Sequence, residues 1–208
     1  MHIADGVLPA YLWISGNVFS GTLALWTLSK KTNAEDIPYI SLVTAAVFVA
    51  SLLHVPIGPV SAHFILNGLA GITLGILSFP AIVVALTLQA VLFQFGGFTT
   101  IGINAVIMGV PALAAWGIFR AGQKTHIKHK LGIFAALAGG IAIALGTLLF
   151  SLCLLMAGKG FQNVVPLAVI SHLPIMVIEA VVCFFFAEYV GKVKPELLEI
   201  SLGKEFYS

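Results

Sequence analysis

Charge is what this chain of 208 residues has least of: 10 Lys and Arg with 8 Asp and Glu make up only 9% of it. Soluble domains carry about 25%. A water-facing shell cannot be built from so few. With hydrophobic residues at 60% and a mean hydropathy of +1.08, the chain belongs in a lipid bilayer. A net charge of +2, with the basic residues in connecting segments rather than on one face, excludes nucleic acid as a partner. Cysteine is scarce too. Cys153 and Cys183 fall inside apolar runs, where a thiol acts as a small apolar side chain, and neither a disulfide nor a metal is assigned to them. The G-x-x-x-x-G-K-[ST] phosphate loop is missing; Ala157-Gly158-Lys159-Gly160 is a partial echo, so the chain has no ATP site of that kind. The basic n-region of a signal peptide is missing as well, with Asp5 standing there instead. The amino terminus is therefore expected to survive. Met1 is expected to be retained, because methionine removal generally requires a small second residue and His2 is not small.

What is present is apolar sequence in blocks. A spanning helix needs about 20 mostly apolar residues, and seven stretches fit: 8–29, 37–53, 63–77, 80–95, 103–120, 131–157 and 165–190. Leu77, Ser78, Phe79 and Pro80, at the third and fourth stretches, read as a tight turn between two short helices or as the middle of one long kinked helix. No separate soluble domain fits in the remainder. Residues 1–208 are expected to form a single integral membrane domain, an all-α bundle of about seven transmembrane helices. Residues 1–9 form an amino-terminal segment and 192–208 a tail.

Seven spans place Lys30 and Lys31, then Arg120, Lys124, Lys128 and Lys130, then Lys192, Lys194 and Lys204 on one side, with Lys159 alone on the other. The positive-inside rule makes the basic side cytoplasmic. The carboxyl terminus is then cytoplasmic, and the amino terminus and the loops 54–62 and 96–102 are outside. Six or eight spans would scatter the basic residues over both faces.

Met1 and His2 are the first chemical feature. A free amine, the backbone nitrogen of His2 and one nitrogen of its ring can close two small chelate rings around one ion, and tetragonal nitrogen coordination suits Ni(II) and Cu(II). The alternative is a disordered tail. His63 lies on the same outer face, at the mouth of the third span, and is a candidate for a fourth nitrogen. Ser61 and Asn67 stand by to fix its tautomer and orientation; a capping or interfacial histidine is the alternative. His54 shares that loop and precedes a Val-Pro pair. In the stretch from Gly96 to Asn104, Thr99 and Asn104 either support the ligands or cap a helix and close the loop.

His172 and Glu179 fall inside the last span, seven residues apart and on one helix face. Ionisable groups at that depth are functional candidates by default, although Glu179 reads more readily as a structural acceptor between helices. His126 and His129 lie in a basic loop that favours simple solvation. Ala135 with Gly139, and Ala136, Gly140 and Ala144, permit close helix contact in lipid. Ala46 and Ala50 do the same, or form a docking face for another membrane subunit.

The opening Met1-His2-Ile3-Ala4-Asp5-Gly6-Val7-Leu8-Pro9, then Ser61-Ala62-His63, then Gln89-Ala90-Val91-Leu92-Phe93 leading into Gly96 to Asn104 and Met108-Gly109, together resemble the CbiM/NikM family. Its members are the substrate-binding membrane components of energy-coupling factor type nickel and cobalt transporters. The likeness runs over nearly the whole chain. Gln94 and Phe95 depart from it, standing where many relatives carry small or polar residues. The resemblance implies a seven-helix bundle whose amino terminus tucks back to bind one ion, through the amine of Met1, the backbone and ring nitrogens of His2, and His63. It also implies a transmembrane coupling subunit, two ATPase subunits and often a small accessory membrane subunit, in the inner or plasma membrane of a prokaryote. The expected cargo is Ni(II), or Co(II) for cobalamin synthesis. Two other classes remain open at this stage: a proton-coupled secondary transporter using Glu179 and His172, and a membrane enzyme with a bound metal. The last lacks an evident nucleophile and base and would need an open coordination position.

Overall fold

Hydrocarbon offers the backbone no hydrogen bonds, so a spanning chain must satisfy its own amides and carbonyls, and this one does so almost wholly in helices. The computed structural model describes residues 2–30, 34–57, 60–64 and 66–198, with the backbone alone for 54–57 and 60–63. Met1 and most of the expected tail lie outside the described residues. The elements are α1 (Ala10–Leu28), α2 (Ile37–Leu52), β1 (His54–Ile57), β2 (Val60–His63), α3 (Asn67–Leu74), α4 (Ser78–Phe93), α5 (Ile101–Gly122), α6 (Lys130–Ala157) and α7 (Val164–Val193), joined in places by single 3-10 turns.

Among the described residues, five helical segments are long and apolar enough to cross a membrane: 34–52, 67–93, 101–122, 130–157 and 164–193. Their outward faces carry large exposed apolar side chains such as Leu42, Val91, Leu148 and Val177, as a lipid-facing surface requires. Ser15, Asn17, Ser20, Thr22 and Thr27 make α1 more polar than these. The described helices thus form an all-helical membrane bundle, with one short hairpin between α2 and α3.

That hairpin is where structure and sequence expectation differ. A third span was expected from His63, but His63 closes β2, and α3 begins at Asn67 and runs only eight residues. Eight residues rise about 12 Å, too little to cross alone. Pro56 denies the preceding segment a helix, and the strands pair antiparallel with His54 opposite His63. The third and fourth expected spans meet as one helical run, 67–93, broken at Gly75, whose φ of 57° and ψ of −128° favour glycine.

Every residue of α3 except Leu69 is buried. A helix that is apolar all round belongs inside a bundle, and its glycines let it get there. A Cβ on Gly71 would stand 2.2 Å from the Ala112 carbonyl oxygen of α5, and one on Gly68 would stand 2.4 Å from Gly139 Cα of α6. Backbone therefore packs on backbone. The start of α3 has no cap of its own; Glu179 of α7, fully buried, accepts from Gly68 N at 2.7 Å and Leu66 N at 3.1 Å. The start of α6 repeats the device. Glu188 accepts from Gly132 N at 3.1 Å and meets His129 Nδ1 at 3.2 Å, so His129 is paired rather than simply solvated.

Around α3, α5 packs against α1, α3, α4 and α6, and α6 runs along α7. Gly139 sits against Cys183 and the Glu179 carbonyl, Gly140 faces Ala180 and Met176, and Ala135 is buried. Ala46 is exposed and Ala50 half-buried on α2. Residues 192 and 193 still belong to α7, and the following turn Pro195–Leu198 packs Leu198 under the bundle.

Two glycine substitutions separate packing from propensity. Gly71→Ala should cost about 1–3 kcal/mol or more by overpacking, whereas Gly117→Ala, with nothing within 4 Å of the new Cβ, should gain about 0.5–1 kcal/mol of helix stability. Thermal unfolding of the two proteins in detergent should show midpoints displaced in opposite directions.

Candidate metal site

The residues before α1 form an arm that turns at Ala4 to Val7 and enters the bundle. Gly6, at φ 82°, and a Val7 N to Ala4 O bond of 3.4 Å make the turn. Ile3 is 2% exposed, and Leu8 and Leu12 follow it into the core. Burying Ile3 obliges its peptide groups to find partners, and Asn104 of α5 supplies them in a fork. Ile3 N donates to Asn104 Oδ1 at 2.9 Å, and Asn104 Nδ2 donates to Ile3 O at 3.0 Å. The same carbonyl accepts from Thr100 Oγ1 at 2.8 Å.

Two residues on, the arm returns the favour. The Asp5 carboxylate accepts from Phe98 N and Thr99 N, both at 3.0 Å, and from the Thr99 hydroxyl, at the amino end of α5. The Thr99 hydroxyl, aided by the backbone amides, holds the Asp5 carboxyl below its ordinary 3.8. A Cβ on Gly97 would fall 2.2 Å from the Asp5 carboxyl carbon, so a side chain there would push the carboxylate from its place. Further along, Asn17 of α1 accepts from Gly102 N at 3.0 Å and donates to Thr99 O at 2.7 Å, and Ser20 donates to Gly102 O at 2.6 Å. Thr99 and Asn104 thus hold the arm at Asp5 within its turn and at Ile3 just before it.

This clamp places the His2 ring against the backbone of Gly96, where a Cβ would meet His2 Cδ2 at 3.7 Å and Asn104 Nδ2 at 3.1 Å. Burial pulls the His2 pKa down to about 4, with a Gln89 hydrogen bond acting the other way. At neutral pH the ring is uncharged and keeps a lone pair for a metal. Gln89, buried on α4, also donates to Ser51 Oγ in the last turn of α2. Four residues beyond Ser51 the hairpin has begun, and it returns along β2, beside α7, to His63.

His63 and Ser61 are described by backbone alone, at the end and the second position of β2, and Met1 lies outside the described residues. Asn67, fully buried at the start of α3, has neither amide atom hydrogen-bonded among the described residues. The register that sets His54 opposite His63 was not legible beforehand, nor was the role of Gln89. Among the described residues no three His, Cys, Asp or Glu side chains gather as a metal would need.

His172 and Glu179 do not join it. His172 Nδ1 donates to Ala168 O at 2.7 Å, and its ring lines a groove of about 460 Å³ between α6 and α7 with Ser151 and Met176. The Glu179 carboxylate is taken by the start of α3.

A family model described as the cobalt uptake substrate-specific transmembrane region matches residues 2–197. A putative metal transport protein of Haemophilus influenzae is 33% identical over 200 residues, which are 95% of this chain and 97% of that protein. A putative fused nickel transport protein, NikMN, of Archaeoglobus fulgidus is 29% identical over 211 residues, 96% of this chain and 68% of that protein. The crystal structure of a transition metal transporter has the same fold, with a TM-score of 0.80 at 22% identity over the whole of both chains.

Asn104→Ala should release the arm, since a buried amide left unpaired costs about 1–3 kcal/mol. Hydrogen–deuterium exchange at residues 2–9 should rise well above that of the parent protein; unchanged protection at Ile3 would show that the fork does not hold it. Asp5, being exposed, should matter less. Its folded pKa lies below its unfolded one, so its contribution is complete above about pH 4 and fades as pH falls through the folded value.

Proposed function

The chain belongs to the CbiM family, the cobalt uptake substrate-specific transmembrane region, and from that premise we propose that it takes up a divalent transition-metal ion through its buried amino-terminal arm. The family is one of transport proteins rather than enzymes, and the chain is a multi-pass membrane component. On our reading it captures Ni(II) in preference to Co(II) from outside a prokaryotic cell and passes it inward, as the substrate-specific component of an ATP-driven, energy-coupling factor type transporter.

The observation that carries this reading is the fork of Asn104 on Ile3. It holds the arm by its backbone at the residue after His2, so that His2 is carried into the bundle. The proposed ligands are the Met1 amine, the His2 backbone nitrogen, the His2 ring and His63. The amine and backbone nitrogen close a five-membered ring with the ion; the backbone nitrogen and Nδ1 close a six-membered one. Such a set displaces the amide proton of His2 and favours a plane of four nitrogens, which suits Ni(II) better than Co(II). The Irving–Williams order points the same way.

The chain carries no phosphate loop, so ATP hydrolysis is assigned to two partner ATPases acting through a transmembrane coupling subunit, with a small accessory membrane subunit beside it. Fusion of the nickel relative to a further portion supports a component that works in an assembly. Ala46 and Ala50, open on α2, are the proposed docking residues. Glu179 is committed to two backbone amides, which counts against its serving as the proton carrier of a secondary transporter.

Adding one residue before Met1 turns the terminal amine into an amide and displaces His2 by one position, while leaving every histidine in the chain. Ni(II) affinity of the purified protein should fall roughly 100-fold or more, about 2.7 kcal/mol, with loss of the planar Ni(II) absorption. An extended protein that binds Ni(II) like the parent would falsify the chelate. His63→Ala should leave a weaker site lacking one nitrogen, and unchanged stoichiometry and spectrum would remove His63 from the ligand set.

A further inference from the structure

Gln89 is 1% exposed and connects the arm to α2. Its Nε2 donates to Ser51 Oγ and, at 3.5 Å, to Phe48 O. Those acceptors fix which way round the amide stands. With nitrogen turned to α2, Oε1 is left for the arm, where Gln89 acts on the His2 ring to favour its protonated form. Oε1 is buried and accepts no hydrogen bond among the described residues.

Chelate chemistry supplies the next step. Only Nδ1 can close a six-membered ring with the His2 backbone nitrogen; Nε2 points away from it. An uncharged imidazole bound through Nδ1 carries its proton on Nε2. That N–H is inside the protein, and a buried donor without an acceptor is costly.

Resting on the amino-terminal chelate proposed above, we infer that Gln89 is the positioning residue that accepts the His2 Nε2–H, fixing the tautomer and the ring plane so that Nδ1 faces the ion. Ser51 completes the arrangement, since its hydroxyl holds the amide with oxygen toward His2. The acceptor is neutral, so it orients the ring without adding charge to the site. It also ties ligand geometry to the end of α2, from which the His63 hairpin departs.

Planar Ni(II) is diamagnetic, so the test can be read by NMR on the purified, Ni(II)-loaded protein labelled with ¹⁵N-histidine. The parent should show His2 protonated on Nε2, with that proton protected from water. A ring protonated on Nδ1 and metallated at Nε2 would overturn the inference without any variant. Gln89→Leu should weaken Ni(II) binding by about 10–100-fold, as loss of an outer partner of a ligand does, and should expose or erase the Nε2–H signal. Gln89→Glu keeps an acceptor oxygen in place and should return affinity toward the parent value; Ser51→Ala should fall between. Gln89→Leu with parent affinity and an unchanged Nε2–H signal sinks the assignment, as does Gln89→Glu binding as weakly as Gln89→Leu while melting like the parent. The protein extended before Met1 keeps the two claims apart. If it binds Ni(II) normally, the chelate itself fails; if it loses Ni(II) while Gln89→Leu does not, only the role of Gln89 fails.

Discussion

Unsatisfied amides at helix starts govern this structure. Each helix begins with N–H groups that its own turns cannot satisfy, and in a bilayer water does not supply the missing acceptors. A chain with 8 acidic residues places three of them at other elements' helix starts. Glu179 on α7 serves α3, Glu188 on α7 serves α6, and Asp5 on the arm serves the approach to α5. For the buried Glu179 a charge-assisted bond is worth about 1.5–3 kcal/mol, against about 0–1 kcal/mol for an exposed ion pair. The carboxylates therefore do more here as acceptors for backbone than as partners for the few cations.

The dependence runs outward from Glu179. It holds Leu66 and Gly68, and so the entry to α3, the short helix about which α5, α6 and α7 close. Without that anchor a buried eight-residue helix would have neither the length to span nor a partner for its first amides. The hairpin that ends at His63 is tethered to the same point, three residues before Leu66. On the other side the arm is held by the same logic with a neutral group, since Asn104 offers Ile3 both an acceptor and a donor. The two elements that bring the proposed ligands together are thus fixed by backbone recognition rather than by contacts between ligand side chains.

This explains what the sequence disclosed and what it did not. Helices α5, α6 and α7 start and stop within a few residues of the expected spans, because lipid selects apolar runs and that selection is local. The break at Gly75 and the hairpin at 54–63 were beyond reach, because one turns on the φ of a single glycine and the other on strand register. Glu179 lies 113 residues from Leu66 and Asn104 lies 101 from Ile3; no periodicity reports such pairings. Thr99 and Asn104 stood out as polar residues in an apolar chain, but nothing paired them with Asp5 and Ile3 of the opening motif. Gln89 was visible as a motif residue only. Its meaning depends on Ser51 being beside it.

The same geometry bears on how a tightly chelated ion can be let go. Three of the four proposed donor nitrogens belong to residues 1 and 2, so the ion and the arm must leave or stay together. The arm is attached at Ile3 and at Asp5, the second attachment being exposed and carried by a loop that meets α1 through Asn17. Thr99, whose carbonyl accepts from Asn17 of α1, therefore links α1 to the arm through Asp5. The cost of undoing such bonds is a few kcal/mol by the magnitudes above. That is far less than dismantling a bundle. On the proposed reading, a partner that moves α1 would disturb the arm-borne bonds to the ion together, because three of the four proposed donors travel with the arm.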